Sequence, residues 1–187
     1  PDDSYHGVTY AKEFGKAAYI TKATAQLMRD FGSTPAPISS WIMGMHLESL
    51  GVRMERHCAN AQKVAEWLAA DPRVSWVSYP GLENDKYHAL AQKYMPNGTC
   101  GVISFGVPGG RETVSAFLDH LKMVSIATHV ADARSCTLYP AGTTHRQLTE
   151  EQLEEAGVGI DLVRLSCGIE NAADIIADLD QALAAVQ

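Results

Sequence analysis

The alternation of short apolar segments with helical ones after Pro72 restricts the fold of this chain more than any other feature. Strands are predicted over residues 74–79, 101–107, 123–127 and 162–166, and a further extended segment over 134–138 can pair beside the third. Helices are predicted over residues 85–95, 111–121 and 149–156, and after the N-cap Asn171. About four strands covered by helices predict a compact layered domain of the α+β or α/β class.

The first seventy residues follow a different pattern, which is helical after an irregular entry over the first ten. An Ala-rich helix is predicted over residues 11–31, ending at Gly32, and a much longer one follows over 39–70, interrupted by Gly51. A helix longer than one core requires often spans two domains. It is therefore the first indication of a domain boundary.

One strand carries an arginine within an apolar run. Alternation places Arg164 and Ser166 on one face of this strand and Val163, Leu165 and Cys167 on the other. Because a guanidinium keeps its charge, a partly buried one requires an anionic partner. That partner is either a surface Asp or Glu, as at an ordinary edge strand, or the carboxylate of a small molecule.

Composition excludes several classes of function. The net charge of −7 and the absence of a Lys/Arg cluster argue against nucleic-acid binding. No apolar run has the length of a membrane span, and no signal-peptide pattern opens the chain, so a cytoplasmic protein is expected. Four separated cysteines predict reduced thiols. No histidine spacing is typical of a metal site, His129 and His145 being the nearest grouping.

The irregular segment 128–148 is the second candidate for function. It is dense in small polar residues, including Thr128, His129 and Thr144, and it precedes the Arg164 strand. A segment of this length without an obvious element is often functional, although a surface loop held by its own hydroxyl groups would have the same composition.

Six short motifs resemble a known family, the pyridoxal-phosphate (PLP) enzymes of Cys/Met metabolism, which have the fold type I architecture. They are SYHG at 4–7, RDFG at 29–32, VRMERH at 52–57, YPGLE at 79–83, PAGTTHRQL at 140–148 and VRLSCGIE at 163–170. The first three favour the O-acetylhomoserine sulfhydrylase branch. The cystathionine γ-synthase and methionine γ-lyase types, and a non-catalytic carboxylate-binding or assembly module, are the alternatives.

The resemblance implies a transferase that replaces the acetate of O-acetylhomoserine by sulfide or methanethiol, with PLP as cofactor. It implies that Arg164 binds the α-carboxylate of the amino-acid substrate, that Thr144 lines the same site, and that His129 stands where Asn or Ser usually helps to hold the carboxylate. Tyr139 replaces a usual His and Ala131 a usual Gly, so substrate preference or loop geometry is expected to differ.

The resemblance also implies that this chain is the C-terminal part of such an enzyme. Residues 1–62 would be the end of the large PLP-binding domain with its connecting helix, and residues 63–187 the small domain. Lys12, Lys16 and Lys22 match none of the family's cofactor motifs, so the Schiff-base lysine and the remaining PLP ligands are expected upstream. The partners implied are that N-terminal portion and further copies of the chain, commonly in a tetramer.

Overall fold

The structure, a computed structural model, describes all residues from Pro1 to Gln187. They form two compact units, Pro1–Glu48 and Ser49–Gln187. No helix is both long enough and apolar enough to cross a membrane.

The first unit is a series of short helices. These are α1 (Tyr10–Phe14), α2 (Ala18–Lys22), α3 (Arg29–Phe31) and α4 (Pro37–Glu48), with a 3-10 turn at Gly15–Ala17 and a π-helical stretch at Ala23–Met28. The prediction of a helix over 11–31 is therefore correct in kind, but Gly15, at φ +52°, interrupts it. Gly32, at φ +64°, ends it as predicted.

The long helix predicted over 39–70 is two helices, α4 and α5 (Leu50–Ala70), which separate at Ser49. Gly51 lies inside α5 and does not cause the break. One face of α5, from His57 to Leu68, is buried in the second unit, whereas α4 has no buried residue. The two compact units of this chain therefore meet just before α5. The assignment of residues 1–62 to the large domain of a longer enzyme stays a prediction.

The second unit is built on a mixed sheet of five strands, which are the four predicted strands and the extended segment predicted over 134–138. They are β1 (Val77–Ser78), β2 (Val102–Gly106), β3 (Ser125–Ile126), β4 (Cys136–Leu138) and β5 (Leu162–Ser166), in the order β1-β2-β5-β4-β3. Neighbours are antiparallel except for β3 and β4. β5, which carries Arg164, is therefore the central strand.

Helices cover the sheet and complete the core. Besides α5 they are α6 (His88–Tyr94), α7 (Gly110–His120), α8 (Glu150–Glu155) and α9 (Ala172–Ala184). The predicted caps are confirmed, since Thr149 forms a capping box with Gln152 and Asn171 accepts from the backbone of Ala173. Every residue of the buried apolar cluster lies between Ala61 and Leu183, so the core belongs to the second unit.

Candidate functional site

Arg164 lies at the middle of β5, on the face turned away from the core. Val163 and Leu165 are fully buried, whereas Leu162 and Arg164 are partly exposed, which confirms the predicted alternation as far as Leu165. Ser166, predicted on the face of Arg164, is buried and accepts from the backbone N–H of Ala131. In the sheet Arg164 pairs with Ser104 of β2 on one side and Leu138 of β4 on the other. A central strand is the most rigid support that the sheet offers to a side chain.

The guanidinium of Arg164 contacts no carboxylate. Its Nη2 donates to the backbone carbonyl of Thr128 at 2.9 Å, and none of the chain's ion pairs includes it. A carbonyl oxygen carries no net charge, so the chain itself leaves the positive charge uncompensated. The surface ion pair that the sequence left open is therefore not formed, and the remaining donors of the fork suit an external carboxylate.

A loop between β3 and β4, residues 127–135, supplies the carbonyl that holds Arg164. Three bonds fasten the loop beside the end of β5. The backbone N–H of Ala131 donates to Ser166 Oγ at 3.1 Å, the backbone N–H of Ile169 donates to the carbonyl of Ala133 at 2.9 Å, and Ser135 binds Glu170. The site is thus formed by β5 and this loop together.

A second set of contacts, made by side chains of α5, fixes the turn after β5. The Asn60 amide donates to the carbonyls of Gly168 and Glu170 at 2.9 and 2.8 Å, and His57 Nδ1 lies 2.6 Å from the carbonyl of Cys167. Both side chains come from α5 and are at least 96% buried. Neither contact was predicted, although the RMERH motif ends at His57 and the SCGIE motif contains Cys167, whose carbonyl His57 contacts.

Neither of the other predicted site residues forms a hydrogen bond with Arg164. His129 is exposed and directly follows Thr128 in the loop. Thr144 is also exposed, and its hydroxyl lies 2.9 Å from Nδ1 of His145. Their roles toward a substrate therefore stay predictions. No group of three or more His, Cys, Asp or Glu side chains could hold a metal ion.

The ionisable groups around the site do not provide a nucleophile. Burial raises the pKa of Cys167 to about 12, and burial likewise raises the pKa of the Cys136 thiol. Both thiols are therefore protonated near neutrality and poorly nucleophilic. The backbone N–H of Arg134 lowers the pKa of Asp132, which keeps this loop carboxylate ionised.

A separate cleft in the second unit is acidic, and one lysine of the first unit is paired with a carboxylate. The cleft, of about 660 Å³, is lined by Glu55, Glu66 and Glu83 and by no Lys or Arg, so it repels anions. Lys22 donates to Asp2 at 2.7 Å, and Lys12 and Lys16 are exposed. The acidic lining of this cleft does not suit the phosphate of PLP, and the expectation that the Schiff-base lysine lies upstream stays a prediction.

The comparisons with known proteins assign this fold to a class. A crystal structure of a putative O-acetylhomoserine (thiol)-lyase from Campylobacter jejuni, which contains a pyridoxyl-lysine monophosphate, superposes with a TM-score of 0.85 at 38% identity. The match covers 98% of this chain and 44% of that one. The fold is thus the C-terminal portion of a fold type I PLP-dependent enzyme, as predicted.

Relatives with similar sequences support the same assignment. This chain is 43% identical to the O-acetyl-L-homoserine sulfhydrylase of Leptospira meyeri and 44% identical to the homocysteine synthase of Schizosaccharomyces pombe. In both cases 98% of this chain matches 43% of the relative, so the chain spans less than half the length of these proteins. Residues 3–184 match the family of Cys/Met metabolism PLP-dependent enzymes, and the chain belongs to that family.

Proposed function

We propose that this chain is the C-terminal part of a PLP-dependent O-acetylhomoserine sulfhydrylase, which replaces the acetate of O-acetylhomoserine by sulfide or methanethiol. The uncompensated guanidinium of Arg164 carries the proposal, because an amino-acid substrate brings the carboxylate that this site lacks. The names of the relatives supply the substrate class, and the family supplies the cofactor.

In this reaction the task of the described residues is to bind and orient. Two N–H groups of Arg164 would grip the α-carboxylate, while its bond to Thr128 keeps the guanidinium plane fixed. A fixed carboxylate orients the neighbouring Cα–H bond, so the grip contributes to rate as well as affinity. Thr144 and His129 are proposed to line the same site as hydrogen-bonding groups. When bound, PLP supplies the electron sink of the family's chemistry.

We place the covalent cofactor site in the part of the enzyme that corresponds to the unmatched length of its relatives. Residues 1–62 would then complete the large domain. The exposed apolar side chains of α4, among them Trp41, Ile42 and Met45, support this assignment, since a surface of that kind is normally covered. The whole enzyme is proposed to be a cytoplasmic homo-oligomer, a tetramer by analogy with the family.

The test is a pair of conservative variants of the full-length enzyme, assayed for homocysteine formation from O-acetylhomoserine and sulfide with PLP added. Arg164→Lys keeps the charge but loses the fork, so we expect kcat/KM to fall by about 10- to 100-fold. Arg111→Lys is the matched control, since Arg111 also donates to a backbone carbonyl at 2.9 Å, that of Ala141. Unchanged kinetics of Arg164→Lys would remove Arg164 from the site and with it the proposal.

A further inference from the structure

The carboxylate of Glu170 anchors one end of the loop that holds Arg164. Its Oε1 accepts from the backbone N–H of Ser135 at 2.6 Å, and its Oε2 accepts from the Ser135 hydroxyl at 3.0 Å. The same hydroxyl oxygen accepts from the backbone N–H of Gly168 at 2.9 Å. Because the acceptor is ionised, the two bonds to Glu170 are stronger than those between neutral groups.

Burial and close approach make this anchor stiff. Ser135 is fully buried. A Cβ on Gly168 would collide with Glu170 Oε2, the Ala133 carbonyl and the Ser135 backbone nitrogen, so the turn and the loop are packed as closely as a glycine permits. The loop therefore has little freedom to shift while the anchor is intact.

The loop transmits this position to Arg164. From Ser135 it runs back past Ala131, whose N–H bonds to Ser166, to the Thr128 carbonyl that accepts from the guanidinium. Arg164 and Glu170 are thus connected by two routes. One is the chain itself, along β5 and the turn that follows it, and the other is the loop. A carbonyl that moves with the loop would let the guanidinium rotate out of the plane that a carboxylate requires.

We infer that Glu170, acting through Ser135 and the loop, is a positioning residue for the substrate-carboxylate grip of Arg164. This inference rests on the proposed function. It assigns to Glu170 no contact with substrate or cofactor, and it predicts a defect toward the amino-acid substrate and none toward sulfide.

A double-mutant cycle in the full-length enzyme tests the inference. Glu170→Gln replaces one acceptor by an amide NH₂, and Ser135→Ala removes the hydroxyl but keeps the shorter backbone bond. We expect either change to raise KM for O-acetylhomoserine about tenfold while KM for sulfide stays constant. In an Arg164→Lys background the same changes should add less than about twofold, since the grip is already lost. If Glu170→Gln does not fold, Ser135→Ala carries the test.

Asp161→Asn is the control, because Asp161 is a carboxylate at the opposite end of β5 that accepts from Trp76 Nε1 and Ser75 Oγ. It should leave both KM values unchanged. Three results would overturn the inference and leave the proposed function standing. They are an equal loss in the parent enzyme and in the Arg164→Lys background, a rise in both KM values, and no effect of Glu170→Gln or Ser135→Ala. An Arg164→Lys enzyme with normal kinetics would instead overturn the proposed function.

Discussion

Ala131 holds a backbone conformation that L-amino acids seldom adopt. Its φ of +56° lies in the left-handed region, at the point where its N–H bonds to Ser166. The loop tolerates this strain because the bonds on both sides of Ala131 fix its path. A glycine, the residue expected here from the family, would adopt the same conformation without a Cβ penalty.

We therefore expect Ala131→Gly to stabilise the chain. Relief of the left-handed Cβ clash outweighs the greater entropy of glycine in the unfolded state, for a net gain of up to about 1 kcal/mol in the free energy of unfolding. Thermal or urea denaturation measures the change. Ala133→Gly, two residues along at a negative φ, should instead lose about 0.5–1 kcal/mol. A loss of stability in both variants would show that Ala131 is not strained.

Asp178 stabilises the molecule through its charge. Its two oxygens accept from the backbone N–H groups of Lys122, Met123 and Val124 at 2.8–2.9 Å, which joins α9 to the turn after α7. Burial opposes ionisation of this group, but the three donors outweigh burial, so the pKa of Asp178 falls below its ordinary value of 3.8.

A lowered pKa in the folded state gives a stabilisation that is complete above the ordinary value and lost as the pH falls through the folded value. Asp178→Asn should therefore cost about 1–3 kcal/mol near neutrality, because an amide cannot accept from all three donors. The difference from the parent protein should shrink as the pH falls below the ordinary value of 3.8. Chemical denaturation across this range measures it, and a difference independent of pH would contradict the assignment.

At the scale of elements, the turn after β5 depends on Gly168 having no side chain. Gly168→Ala would force the Ala133 carbonyl and the Ser135 nitrogen apart, and we expect a loss of about 1–3 kcal/mol in the free energy of unfolding. Gly51→Ala is the matched comparison. No atom lies within 4 Å of a Cβ there and its φ is helical, so α5 should gain about 0.5–1 kcal/mol. Equal effects of the two changes in denaturation experiments would contradict this account.

The elements also show what sequence reasoning can reach. The alternation around Arg164, the capping box at Thr149 and the cap at Asn171 were predictable because each depends on residues that are close in sequence. The contacts of Asn60 and Glu170 were not, since they join residues about 110 and 35 positions apart. Nor did Gly51 reveal that the helix breaks at Ser49, because helices accommodate isolated glycines.

At the scale of the whole molecule, the two units differ in their capacity to fold alone. The second unit contains the entire apolar cluster, whereas Tyr10 and Gln26 are the buried residues of the first. We expect residues 49–187 to unfold cooperatively when expressed alone, and residues 1–48 to lack stable structure. Circular dichroism and amide hydrogen exchange distinguish the two. A cooperative transition in residues 1–48 alone would contradict this reading of the core.

The central claim is that Arg164 recognises the acid end of the substrate. The most direct measurement compares O-acetylhomoserine with its α-carboxamide in the full-length enzyme and in Arg164→Gln. The parent enzyme should prefer the acid by about 30- to 100-fold in kcat/KM, and the variant should lose this preference. A variant that retains the full preference for the acid would show that another group binds the carboxylate.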